Sequence, residues 1–157
     1  MRKLYAAASV YLLVGVASGL FFREFTKLSG WPEGQPTQLG VAHTHLLTLG
    51  FIVLLIVLVL EKVFAISRSR LFPWFFWVYN AGVILTSGML VLHGSLTVLG
   101  METSKAVAGI AGTGHILVTA GLILLMLALR KPVFGSRGSE EADAAVSRTL
   151  ATAKPAG

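Results

Sequence analysis

Apolar runs long enough to cross a lipid bilayer constrain this chain more than any other feature. A hydrocarbon core of about 30 Å needs roughly 20 apolar residues at 1.5 Å of helical rise each. Runs of that length are present at Leu4–Phe22, Leu39–Leu60, Trp74–Leu99 and Ala106–Leu129. Only 13% of the residues are charged, against about 25% in soluble globular domains. The expectation is an all-α integral membrane four-helix bundle in which residues 1–131 form the four-span domain. Leu4–Phe22 is longer than the apolar core of a usual signal peptide and ends in Arg23-Glu24, so it reads as a retained helix.

The 13 Lys and Arg residues set the orientation. Arg2, Lys3, Lys62, Arg68, Arg70, Arg130, Lys131, Arg137, Arg148 and Lys154 fall on one side of a four-span chain, and Arg23, Lys27 and Lys105 on the other. By the positive-inside rule both termini face the cytoplasm, here of a bacterial inner membrane. The net charge of +6 therefore reflects membrane topology. No basic surface interleaved with aromatics points to nucleic acid.

Between the spans, "SGWPEGQPTQ" carries the Gly and Pro residues that stop helices, within an expected loop from Glu24 to Gln38. Thr103 or Ser104 would cap the fourth helix. Gly15 and Gly19 form a GxxxG, and Gly109, Gly112 and Gly114 line the start of the fourth span; small residues of this kind let membrane helices approach closely. From 132 to 157 the composition turns to Ala, Ser, Gly and mixed charge, which reads as a disordered tail.

All four histidines lie inside spans. Counted from the expected helix ends, His43, His45, His93 and His115 sit about 6, 9, 9 and 14 Å deep, all in the outer half of the bilayer. Imidazoles in lipid are expensive and mark functional sites, and neutral imidazole is the commonest metal ligand. The chain has no cysteine, and its spans hold no carboxylate before Glu61, so thiolate sites, disulfides, a catalytic zinc and a di-iron carboxylate site lack their ligands. Haem iron needs only one or two axial imidazoles and an apolar slot, and a copper site built from histidines is the nearest rival. Residues i and i+2 of a helix point about 200° apart, so His43 and His45 must serve different partners. Within one bundle, His45 and His93 are the best matched in depth, with His115 admitted by a small change of register. Arg23, at the outer end of the first span, reads either as a partner for a haem propionate or as a boundary arginine snorkelling to the interface.

The stretch "HTHLLTLGF", His43 to Phe51, resembles the second helix of the haem-copper oxidase catalytic subunit, above all its nitric oxide reductase branch. There a His-Thr-Asn-Leu-Leu stretch begins with the low-spin haem ligand, which His43 matches, while His45 stands where the reductase has Asn. The whole chain also resembles a small family of four-helix bacterial membrane proteins without an assigned activity. The superfamily's large subunit is built as three arcs of four helices, so the resemblance implies a homotrimer with His43 of one protomer and His45 of the next on one b-type haem. His93 lies where the superfamily places two adjacent copper-ligating histidines, and His115 has no counterpart. The implied function is a b-type cytochrome-like haem protein for electron transfer or diatomic-gas sensing. A gas- or quinol-reacting haem enzyme and a copper-binding membrane protein are the alternatives, with the redox partner left open.

Overall fold

The computed structural model describes the backbone of residues 1–152; side chains are described throughout except at 105, 108, 136–145 and 147–152. Helix α1 spans Arg2–Leu28 and α2 spans Gln38–Phe64. Helix α3 spans Phe72–Val98 and α4 spans Lys105–Thr152. No strand occurs among the described residues. Four helical stretches, Arg2–Leu28, Gln38–Phe64, Phe72–Val98 and Gly109–Gly135, are each long and apolar enough to cross a membrane, making this a multi-pass membrane protein.

The helices exceed the apolar runs at their ends. α1 continues through Glu24–Leu28, part of the expected loop, and stops where Ser29 N–H bonds back to Phe25 O and Gly30 takes a positive φ of 66°. Polar residues extend a helix past the hydrocarbon because its hydrogen bonds do not depend on lipid. Thr37 caps α2 by accepting from Leu39 N–H at 3.1 Å, and Ser104 directly precedes α4. α4 carries the backbone through Thr152 with Pro132 inside it. Of the expected tail, 153–157 lie outside the described residues.

α2 is not a uniform α-helix: Leu46–Ile52 forms a π-helical segment, in which Val53 N–H reaches back five residues to Thr48 O. The widened turn gives a cross-helix partner a place, since the Tyr79 hydroxyl donates to Leu49 O at 2.9 Å. Gly50, in the same segment, leaves room for Tyr11; a β-carbon there would land on the tyrosine ring.

α2 and α3 form the central pair, with α1 packed along α2 and α4 along α3. The α3–α4 contact is a backbone approach: β-carbons on Gly82, Gly114 or Gly121 would meet Val118 N, Thr86 N and Tyr79 Cα at 2.6, 2.8 and 2.8 Å. Gly15 of α1 receives the Leu47 side chain in the same manner, at 2.7 Å. Gly109 and Gly112, by contrast, face open space. The core is filled by Leu4, Tyr11, Leu46, Leu54, Val57, Phe75, Tyr79 and Val83. Because the helices alternate in direction, Arg2, Lys3, Lys62, Arg68, Arg70, Arg130 and Lys131 share one end. The four histidines occupy the opposite half.

Candidate functional site

The fold sends His43 and His45 to different helices, as their angular separation requires. His43 turns toward α1. Its ring stacks on Phe22, centroids 6.2 Å apart and planes 16° apart, and it covers Gly19, whose missing β-carbon would stand 3.7 Å from His43 Cδ2. Its Nδ1 is buried and has no hydrogen-bond partner among the described residues. Leaving a buried polar atom unpaired costs about 1–3 kcal/mol.

His45 turns toward α4, where its ring meets that of His115, centroids 6.2 Å apart and planes 80° apart. The two rings are prepared alike. His45 Nδ1 lies 3.0 Å from Val41 O and His115 Nδ1 lies 3.0 Å from Ala111 O. A carbonyl oxygen only accepts, so each Nδ1 carries the proton and donates it one turn back along its own helix. That choice of tautomer leaves the lone pair on Nε2, the state in which an imidazole binds a metal.

His93 joins neither pair. Its Nε2 is hydrogen-bonded to the Thr103 hydroxyl at 3.1 Å, which spends Thr103 on tying the α3–α4 connection to α3 rather than on capping α4. The expected depth match of His45 with His93 gives way to His45 with His115. α3 explains the exchange when it is used as a ruler. A β-carbon on Gly94 would collide with Leu39 N, and one on Gly114 with Thr86 N, so these contacts fix the heights of α2 and α4. Six residues beyond Leu39, His45 stands level with Gly88; one beyond Gly114, His115 stands level with Leu85. Their offset is three residues, about 4.5 Å, against about 7.5 Å between His45 and His93. Counting from helix ends assumes that the ends lie level, whereas the glycine contacts decide the level.

Arg23 is exposed at the same end of the bundle, its Nε 3.7 Å from Glu24 Oε1. No group of three or more His, Cys, Asp or Glu side chains is placed to share a metal ion among the described residues. The largest assembly of histidines is thus the His45–His115 pair, two imidazoles without carboxylate or thiolate. A metal held there must bring further ligands with it, as a porphyrin does, or accept coordination by few donors, as copper(I) does.

The residues missed at the sequence level are the neighbours. Gly19 was visible within GxxxG, but nothing in its spacing says that a histidine fills the groove. Thr103 was visible as a hydroxyl near a helix start, and only the turn of the chain brings it to His93.

No curated protein and no solved structure matches this chain. A family profile described as "Protein of unknown function (DUF2871)" matches residues 1–132, all of the first three spans and most of the fourth. The chain belongs to that family.

Proposed function

We propose that this chain is a membrane-embedded haem protein resembling a b-type cytochrome, with iron held between His45 and His115, working in electron transfer or diatomic-gas sensing. The observation that carries the reading is the matched pair of imidazoles with Nδ1 protons committed to Val41 O and Ala111 O. Both Nε2 atoms are thereby left as acceptors, 70 residues apart in sequence and on different helices. The space supports it too: Gly112, one turn before His115, has nothing within 4 Å of where a β-carbon would stand, and His115 is exposed on the flank of the bundle. An exposed imidazole at bilayer depth calls for a cover, which a flat apolar macrocycle supplies.

In this reading the protein orients the two imidazoles, fixes their tautomers and keeps the site in an apolar surround. Arg23 stands on α1, the helix that His43 faces, and so has no role in a site formed by His45 and His115. The bound group supplies one-electron iron chemistry. The termini and the basic end face the cytoplasm of a bacterial inner membrane, and the chain works as a homo-oligomer. A trimer sharing haem between His43 of one copy and His45 of the next would require His43 to leave its seat on Gly19 and Phe22. For this reason the pairing within one chain is preferred.

The test is the optical spectrum of the full chain purified in detergent. Sharp bands of six-coordinate haem on reduction are expected, lost in His45→Ala and His115→Ala and kept in His43→Ala. A carbon monoxide shift of the reduced spectrum would assign gas sensing rather than electron transfer. Haem lost only in His43→Ala would overturn the His45–His115 pairing. A colourless protein carrying stoichiometric copper would overturn the haem itself.

A further inference from the structure

The end of the bundle opposite the histidines holds a cavity of about 1030 Å³ between the α2–α3 connection and α4. Its lining combines two chemistries. Arg68, Arg70, Arg130 and Lys131 bring four cations, and Phe64 and Phe134 bring apolar walls. All four cations are exposed, and the one ion pair among the described residues is elsewhere, between Arg23 and Glu24.

The connection is built so that its acid does not neutralise its bases. Ala65 takes a left-handed φ of 49° and ends α2, Ile66 plugs the core beneath it, and a 3₁₀ turn covers Ile66–Arg68. The Glu61 carboxylate is occupied by Ser67, accepting from its N–H at 2.7 Å and from its Oγ at 2.5 Å. Glu61 therefore braces the turn that presents Arg68 and Arg70. On the facing side, Arg130 and Lys131 stand where α4 leaves its apolar stretch.

We infer that this cavity is a binding site for an anionic phospholipid, its phosphate among the four cations and its acyl chains descending along the apolar wall. Three observations single out a lipid. The cavity lies at the end of two membrane spans, α2 and α4; Trp74 and Trp77, 67% and 65% exposed on α3 at the same end, mark the height at which indole rings meet headgroups. Its charge is of one sign, and basic pockets between membrane helices take acidic headgroups. Its lining includes the rings of Phe64 and Phe134, which a small soluble anion has no use for. Four cations exceed the single charge of a phosphodiester, so a lipid with two phosphates should be held more tightly than one with one.

The test is native mass spectrometry of the full chain equilibrated with equal amounts of phosphatidylcholine, phosphatidylglycerol and cardiolipin. Wild type is expected to retain cardiolipin over phosphatidylglycerol, and both over phosphatidylcholine. Each cation removed should weaken anionic retention about five-fold, so Arg68→Gln/Arg130→Gln loses roughly 25-fold. Lys3→Gln/Lys62→Gln removes two charges from the same end but outside the cavity and should change retention little. Equal loss in both double variants would overturn the site in favour of diffuse surface charge. Full displacement of the lipid by millimolar inorganic phosphate would overturn the lipid in favour of a soluble anion. The readout does not involve haem, so its failure and failure of the haem reading are separable.

Discussion

His43 and His45 are two residues apart and live in different surroundings, one pressed on Gly19 with a buried unpaired nitrogen, the other beside His115 with its proton already placed. Their divergence was legible in the sequence, because any helix separates i and i+2 by about 200°. The identity of the neighbours was not, since it depends on which helices flank α2. The tyrosines show the same dependence. Tyr79 donates to Leu49 O at 2.9 Å inside the π-helical segment, whereas the Tyr11 hydroxyl reaches Asn80 O only at 3.4 Å. Interhelical hydrogen bonds in membranes average about 0.6 kcal/mol and reach about 1.7. Tyr79→Phe is expected near the upper part of that range and Tyr11→Phe near the lower, measured by reversible unfolding in mixed detergent micelles. Equal effects would contradict the ranking by distance.

Glycines decide the geometry at the level of elements. Gly114 and Gly112 sit two residues apart on α4 and behave oppositely: one touches Thr86 of α3 and the other faces open space. Gly114→Val would force α4 off α3 and is expected to cost about 1–3 kcal/mol, the usual penalty of overpacking. Gly112→Val should leave unfolding nearly unchanged and, under the proposed haem reading, lower haem occupancy, because it fills the space beside His115. The two variants together separate packing from binding. The apolar periods that located the helices were silent on this distinction, as every glycine in a membrane span looks alike until its facing helix is known. The π segment Leu46–Ile52 was silent for a related reason: it is apolar almost all round, so an inserted residue leaves no mark on the hydropathy pattern.

The molecule as a whole has a basic end and a histidine end, joined by four helices of alternating direction. The proposed positive-inside orientation would put Ser69, in the α2–α3 connection, in the cytoplasm and Ser104, before α4, on the opposite side. The absence of cysteine makes this checkable, since every introduced thiol is the only one. Ser69→Cys in intact cells should resist a membrane-impermeant maleimide and react after lysis, while Ser104→Cys should react before it. The reverse pattern would invert the topology, placing the basic cavity and the histidines in the opposite leaflets.

Hydropathy alone determined that this chain spans a membrane with four helices, and residue count alone put its histidines in one half, because both follow from helical rise and the cost of polar groups in lipid. The reach of each helix beyond the hydrocarbon was beyond that pattern, since backbone hydrogen bonding continues where apolar residues stop. Tertiary structure decided that His45 meets His115, that His93 is spent on Thr103, and that Arg68, Arg70, Arg130 and Lys131 line one cavity. Each of those outcomes depends on the height and rotation of one helix against another. Those are set by a few backbone contacts at Gly82, Gly94, Gly114 and Gly121, and a single chain read in order carries no ruler for them.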